Sequence, residues 1–432
     1  MPPPTSYSPL TPRPPIDKAA LLVAITASLL LVETLSGALR YYFELAGVGW
    51  LLYLPKLACL AAVGLELPKF KAHPGVWLVL LLCLFSSQLA LLHGATLANV
   101  GFSLFACVPL LFGVVCGKYL FARARLLAWV IGLCLAASYV GIALDLSLSV
   151  PWKGYSYVMG DVEISGNKEW TDGGIDRIAG FARMSSILAV MIALYTLYLA
   201  ARCHSSLLRL PLYGAALVGI YLTTNKSALI ALLLTLLMMI FRGCRVPTIA
   251  ALLIAVLVGM ALPVASLLVD IDPTSVAGAS DHVFASFNDR LANSWPNFVA
   301  VMADEGWALW GAGFGTVGST QAVFPIYGLE LLGIADNTAL YLWGVFGVFG
   351  PPIYLLLLAL MLRLHDRGLK VDSAQMSIVF CICLVAWATD VLEIAVSSLF
   401  LGLATARALV PIRVAKPAPS KIVLGQFGDQ PG

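Results

Sequence analysis

The sequence predicts an all-α polytopic membrane protein with about twelve transmembrane helices and two long loops on one face, and three observations lead there. Charge is scarce: 11% of the 432 residues are charged, 60% are hydrophobic and the mean hydropathy is +0.92. About a quarter of an average soluble sequence is charged, so the polar shell of a soluble domain is missing. Apolar stretches of about 20 residues, the length that crosses a hydrocarbon core, recur along the chain. Finally, Lys and Arg alternate in abundance from one inter-helix connection to the next, as the positive-inside rule requires.

Taken in order, residues 1–17 are a proline-rich polar lead. It does not read as a cleavable signal, because a full-length span follows it with no clear A-x-A site. It is expected to be a disordered cytoplasmic tail. Spans follow near 19–39, 44–64, 75–93, 97–116, 126–147, 182–201, 207–223, 226–241, 247–269, 336–362, 374–390 and 391–410. Two connections are very tight, around Asp390 and Glu393 and around Thr223-Thr-Asn-Lys226. A second proline-containing tail, expected to be disordered and cytoplasmic, occupies 411–432. The bundle, 18–410, is counted as one domain, because all its helices share one lipid-facing exterior.

The alternation places 18 of the 26 Lys and Arg on one side, seven on the other, and Lys56 within a span. Both termini are thereby cytoplasmic. All nine cysteines fall in spans or on the cytoplasmic side, so neither disulfides nor a zinc site is expected, and Cys381-x-Cys383 has the spacing of neither.

The outer loops 148–181 and 270–335 are long, and long ordered loops commonly carry function. They hold Trp152, Tyr155, Tyr157 and Trp170 in the first, and Trp295, Trp307, Trp310 and Tyr327 in the second. Aromatic faces with a polar edge suit sugar rings, and they equally suit an interfacial belt. The second loop contains GAGFGTVG, residues 311–318, which satisfies G-x-G-x-x-G. No strand leads into it and no βαβ unit surrounds it, so dinucleotide binding is rejected. A sharp turn, close approach to a ligand, or plain flexibility remains.

Cations on the disfavoured outer side are more informative. Arg177, Arg183, Lys226 and Arg290 gather near the ends of spans. Asn225 reads as an N-cap and Lys226 as the first helical residue, where a cation opposes the helix dipole unless an anion sits there. In SFNDRLANSWPNFVAVM, residues 286–302, the stripe Phe287, Leu291, Trp295, Phe298 and Met302 predicts a helix lying along the membrane surface, with Arg290 at its margin and a break at Pro296. Arg290 there either reaches an anionic ligand or simply snorkels. Asp336-Asn337 opens the tenth span, and Asp336 is either a helix cap or a general base beside the cations. Within the bundle, Glu33 and Lys56 either belong to a translocation path or pair with each other, and pairing is the expectation.

In order, RIAGF at Arg177, LTTNKSALIALLL, DRLANSW, GAGFG and DNTALYLWGVFGVFG resemble the Wzy-type O-antigen polymerase and ligase superfamily over about 175–350. Lys226 stands where that family typically has arginine, and Asp336 where its ligases have histidine. Leu188 and Val301 occupy the glycine positions of the Arg-x10-Gly pattern seen in some polymerases. The resemblance therefore implies a polymerase, closest to an exopolysaccharide type that builds xanthan-like gums, more than a ligase.

It further implies a bacterial inner-membrane enzyme with a periplasmic active site. Such an enzyme joins polyprenyl-diphosphate-linked oligosaccharides by inverting glycosyl transfer, with neither metal nor cofactor. Arg290 and Lys226 would hold the leaving diphosphate with support from Arg177 and Arg183. Asp336 would take the acceptor proton, with His282 the fallback base, and Trp295, Trp307, Trp310, Trp170 and Asn337 are the sugar-contacting candidates. Membrane lipids, a flippase and chain-length or export proteins are the expected partners, and nucleic acid is not. From a different class, a lipid-linked sugar flippase or secondary transporter also suits twelve spans. Against that reading, the halves show no repeat and the large loop follows the ninth span.

Overall fold

A computed structural model describes residues 17–70, 74–159, 162–165, 167, 171–172, 175–203, 205–268 and 285–410. Both expected tails, Trp170, His282 and the first part of the connection after the ninth apolar stretch, 269–284, lie outside the described residues. The helices, in chain order, are α1 Lys18–Thr34, α2 Ser36–Leu45, α3 Leu54–Glu66, α4 Pro74–Leu92, α5 Leu97–Ala106, α6 Val108–Ala122, α7 Ala124–Ser147, α8 Ser185–Ala200, α9 Ser206–Leu222, α10 Lys226–Phe241 and α11 Arg245–Ser266. The short α12 Ala285–Asp289, α13 Trp295–Asp304 and α14 Thr320–Val323 follow. Then come α15 Thr338–Phe346, α16 Gly350–Asp366, α17 Lys370–Val385 and α18 Ala395–Leu409.

Each of the twelve apolar stretches contains helix, and the architecture is that of an all-α membrane protein. Among the described residues five helical runs are long and apolar enough to cross a membrane, or up to seven if each of two bent pairs counts as one span. The first bend, 87° between α1 and α2, truncates the expected span 19–39. Leu35 leaves helical geometry, and the amides of Gly37 and Ala38 donate to Phe181 O at 2.8 and 3.3 Å. A Cβ on Gly37 would lie 2.6 Å from Ala182 O, so the loop seizes the start of α2 and turns it across the bundle end. The second bend, 40° between α5 and α6, falls just before Pro109, whose ring and missing N–H interrupt a continuous helix. Helices α8, α9, α10, α17 and α18 have 15 to 17 residues, about 24 Å of helix, short of the ~30 Å hydrocarbon thickness.

Packing explains which helices sit inside. α8 is apolar all round and buried along nearly its whole length, as a central helix must be, whereas α4 buries only Ser86, Ser87 and Ala90 and turns most of its surface outward. The tightest crossing joins α6 to α18. Gly113-x-x-x-Gly117 faces Gly402-x-x-x-Ala406, and a Cβ on Gly402 would meet Leu110 O at 2.3 Å and Gly113 Cα at 2.8 Å. Small residues let backbones touch where lipid gives no hydrophobic drive for helices to associate.

The first loop departs from a purely helical chain. Two antiparallel hairpins, β1 Ser156–Met159 with β2 Val162–Ser165 and β3 Thr171–Asp172 with β4 Ile175–Asp176, fold it. Trp152 anchors it by donating to Gly180 O at 2.8 Å. At the end of the bundle away from the loops, Asp372 is fully buried between Arg367, at 3.4 Å, and Arg407.

The second loop corrects the expected surface helix. The stripe exists, but it faces inward: Trp295, Phe298 and Met302 are fully buried and Phe287 and Leu291 pack against the same core. Burial of three such side chains contributes roughly 1.5–3 kcal/mol each. Pro296 does not break the segment. A π-helical turn over Arg290–Ser294, with the Trp295 amide bonded to Arg290 O, precedes it, and the wider turn accommodates a ring that would clash with the i−4 carbonyl of an α-helix.

Candidate active site at the loop-bearing end

Asp336 is placed by the residues on either side of it. Ahead of it, Ala335 O accepts the Trp295 indole N–H at 3.0 Å. Behind it, Asn337 caps α15, its Oδ1 accepting from the Leu340 amide at 2.9 Å, while its Nδ2 donates to Gly259 O at 3.0 Å and Trp387 O at 3.1 Å. Between these fixed points Asp336 has φ of 46°, a left-handed conformation that Asp and Asn tolerate better than other non-glycine residues.

Arg290, carried on the π turn, donates through Nε to Asp336 Oδ2 at 2.9 Å and through Nη1 to Ser286 Oγ at 2.9 Å. The two side chains keep 20% and 37% of their exposure, so the pair is reachable from outside the bundle. The contact thus joins residues 46 apart that the sequence reading had set side by side by function alone.

Two other acids converge here. The turn between α17 and α18 is stitched to the start of α15: the Thr338 amide donates to Ala386 O at 3.0 Å, Thr338 Oγ1 to Thr389 O at 2.9 Å, and the Val391 amide to Thr338 Oγ1 at 3.1 Å. That stitching carries Asp390 to within electrostatic range of Asp336. Burial, then the Glu393 charge, pushes the Asp390 carboxyl well above its usual range, while the Leu392 amide opposes this. Burial also raises Glu393, against the Ser319 amide, which donates to its Oε1 and Oε2 at 3.0 and 2.9 Å. In the sequence these two acids mark only a tight turn. Their signal was a pair of carboxylates three residues apart between two apolar runs.

The glycine motif now has its explanation. Gly311, Gly313, Gly315 and Gly318 all have positive φ, and the space a Cβ would need is filled by Val345 O, the Ala90 backbone, the Asn99–Val100 peptide and the Glu393 carboxylate respectively. The segment is a close-packed ribbon threaded among α4, α5, α15 and the α17–α18 turn. Plain flexibility is excluded for it.

The remaining candidates divide. Lys226 opens α10 behind the N-cap Asn225, whose Oδ1 accepts from the Ala228 amide at 2.9 Å, and Thr224 before it has φ of 56°. Among the described residues no ion pair or hydrogen bond joins Lys226, Arg177 or Arg183 to the Arg290–Asp336 pair. Arg183 belongs instead to a group on the first loop and α2. Arg40, counted in the sequence only for sidedness, lies over the rings of Tyr157 and Tyr53 at 4.7 and 5.7 Å. Tyr157 and Arg40 both act electrostatically on Arg183. Lys56 pairs with Glu33 at 3.1 Å as expected and acts electrostatically on Glu393.

Two sugar-contacting assignments are corrected. Trp295 is fully buried against Phe287 with its N–H spent on Ala335. Asn337 is fully buried with its amide spent on Gly259, Trp387 and Leu340. Neither offers a free polar edge to a ligand. Trp307 stacks on the His93 ring at 4.3 Å, and Trp310, three residues on, is 53% exposed.

No protein-family model matches the chain, and no curated protein is significantly similar to it in sequence.

Proposed function

We propose that the chain is a polysaccharide polymerase of the inner membrane, with twelve crossings, both termini cytoplasmic and the Arg290–Asp336 end in the periplasm. It joins polyprenyl-diphosphate-linked oligosaccharide repeats by inverting glycosyl transfer. The observation that carries this reading is the 2.9 Å pairing of Arg290 with Asp336 at a solvent-reachable end of an apolar bundle.

At rest each partner neutralises the other. A lipid diphosphate arriving at Arg290 competes for the guanidinium with greater charge and more acceptor oxygens, and so frees the Asp336 carboxylate. That carboxylate takes the proton of the acceptor hydroxyl as it attacks the anomeric carbon, while Arg290 stabilises the charge that develops on the departing diphosphate. Base and electrophilic support are thus released by the same event. The half-buried Lys226, at a helix start on the same end, adds a second cation for the diphosphate.

Purified protein given a single synthetic polyprenyl-diphosphate oligosaccharide tests this directly. A ladder of products spaced by one repeat supports the proposal, and it persists with EDTA. Transfer of one repeat to a lipid A core acceptor alone assigns a ligase instead. Intact substrate with its redistribution across proteoliposome membranes assigns a flippase.

A further inference from the structure

The end of the bundle away from the loops holds a second charged feature. The ends of α8, α9, α10 and α17 surround a cavity of about 180 Å³ lined by Arg209, Arg242 and Lys370 together with Tyr213 and Ser377. A site of this kind holds a water in roughly 10–15 Å³, so the space admits a phosphate with part of its hydration. The positive-inside rule accounts for cations at this end. It does not account for three of them, from three helices, facing one hollow, where they repel one another.

Their neutralising partners are not supplied by the described residues. Arg209 is held by the backbone, its Nε and Nη2 donating to Cys203 O at 3.1 and 2.6 Å. Arg242 is the C-cap of α10, where the carbonyl end of the helix favours a cation. The Tyr213 hydroxyl lies in electrostatic range of both. Lys370 begins α17, and the carboxylate nearest it in sequence, Asp372, is already taken by Arg367 and Arg407. Among the described residues no ion pair involves Arg209, Arg242 or Lys370. The rest of the lining is largely apolar, Leu197, Ala200, Ala201, Met239 and Ala374, so the cations stand beside hydrocarbon surface.

We propose that this cavity is a binding site for the phosphate of an anionic phospholipid of the cytoplasmic leaflet, its acyl chains lying along the adjoining apolar helix surface. Basic pockets between membrane helices on this side are suited to such headgroups. The site is separate from the Arg290–Asp336 pair and does not depend on the activity proposed for it.

The test is a titration of delipidated full-length protein followed by native mass spectrometry, using phosphatidylglycerol, phosphatidylcholine and inorganic phosphate as separate probes. Saturable phosphatidylglycerol adducts, at least tenfold tighter than those of phosphatidylcholine, are expected. Arg242→Gln with Lys370→Gln, which spares the Arg209–Cys203 tie, should weaken phosphatidylglycerol about fivefold for each cation removed. Equal retention of the two lipids by the wild-type protein overturns the proposal without recourse to any variant, as does unchanged affinity in the folded double variant. Binding of inorganic phosphate that phosphatidylglycerol cannot displace assigns a soluble phosphate ligand and overturns the lipid source.

Discussion

Asp336→Asn separates catalysis from architecture at the proposed site. Asn accepts the left-handed conformation at φ of 46° about as readily as Asp, so the backbone strain is unchanged. It also keeps an oxygen that can accept from Arg290 Nε. What it loses is the charge of an ion pair whose side chains are 20% and 37% exposed, and pairs this open to solvent contribute no more than about 1 kcal/mol. Thermal stability in detergent should therefore stay nearly unchanged. A positioned general base, by contrast, contributes about 10²–10⁴-fold in rate, or roughly 3–5 kcal/mol of barrier. Ladder formation from the synthetic lipid-linked oligosaccharide should fall by that factor while the melting curve stays in place. Asp336→Ala should lose activity equally and also some stability, since alanine at this φ carries strain of order 1–3 kcal/mol. Polymerisation by Asp336→Asn within about threefold of wild type refutes the assignment of Asp336 as base, whatever Arg290 does.

Three further perturbations test the bundle and the turn that carries Asp390. Asp372→Ala leaves Arg367 and Arg407 facing each other with their shared carboxylate gone, and should cost about 3–5 kcal/mol, read as a large drop in melting temperature. Gly402→Val forces side-chain atoms against Leu110 O and Gly113 Cα, now 2.3 and 2.8 Å from a built Cβ; separation of α6 from α18 should destabilise the fold by about 1–3 kcal/mol or more, and wild-type stability would show that the glycines are dispensable. The Asp390 carboxyl, buried and then crowded by Glu393 and Asp336, has a folded-state pKa above its unfolded one. The folded protein therefore binds more protons over that interval, and stability declines as pH rises through it. Asp390→Asn, which mimics the protonated acid, should flatten that decline, and an unaltered pH–stability curve would remove Asp390 as its source.

What the sequence revealed and concealed follows from the length scale of each signal. Apolar runs of about 20 residues could be read off because lipid imposes one constraint on a whole helix; each run contains helix, and among the described residues five to seven are long and apolar enough to cross a membrane. Asn225 as the cap before Lys226 was equally legible, because the capping geometry is local. The inward direction of the Trp295, Phe298 and Met302 stripe was not, because an amphipathic helix on a membrane surface and one sealed against a protein core carry the same periodicity. Trp295 and Asn337 looked like ligand-facing polar groups for a related reason: only the three-dimensional fold brings Ala335, Gly259 and Trp387 to the atoms that a sugar would otherwise use. Asp390 and Glu393 were visible as a turn, yet their meeting with Asp336 depends on hydrogen bonds between residues about 50 positions apart.

The site itself stands on segments that contain little regular structure, and the physical problem is how such segments hold a carboxylate to a fraction of an ångström. Loops position groups poorly unless their neighbours fix them. Here rigidity comes from glycines used as contacts. Gly311 to Gly318 bring backbone against Val345, Ala90 and Asn99 where any side chain would intrude, and the far end of that ribbon is pinned when Glu393 accepts the Ser319 amide. Glu393 belongs to the same turn that Thr338 stitches to α15, so ribbon, turn and helix start form a closed loop of constraints around Asp336. Arg290 is carried on a π turn that accommodates Pro296, with Trp295 tying that turn to Ala335, next to Asp336. The pair is thus fixed through two independent routes. Disruption of either one, by a side chain at Gly318 or loss of the Trp295 indole N–H, should move the two groups relative to each other before it unfolds the bundle.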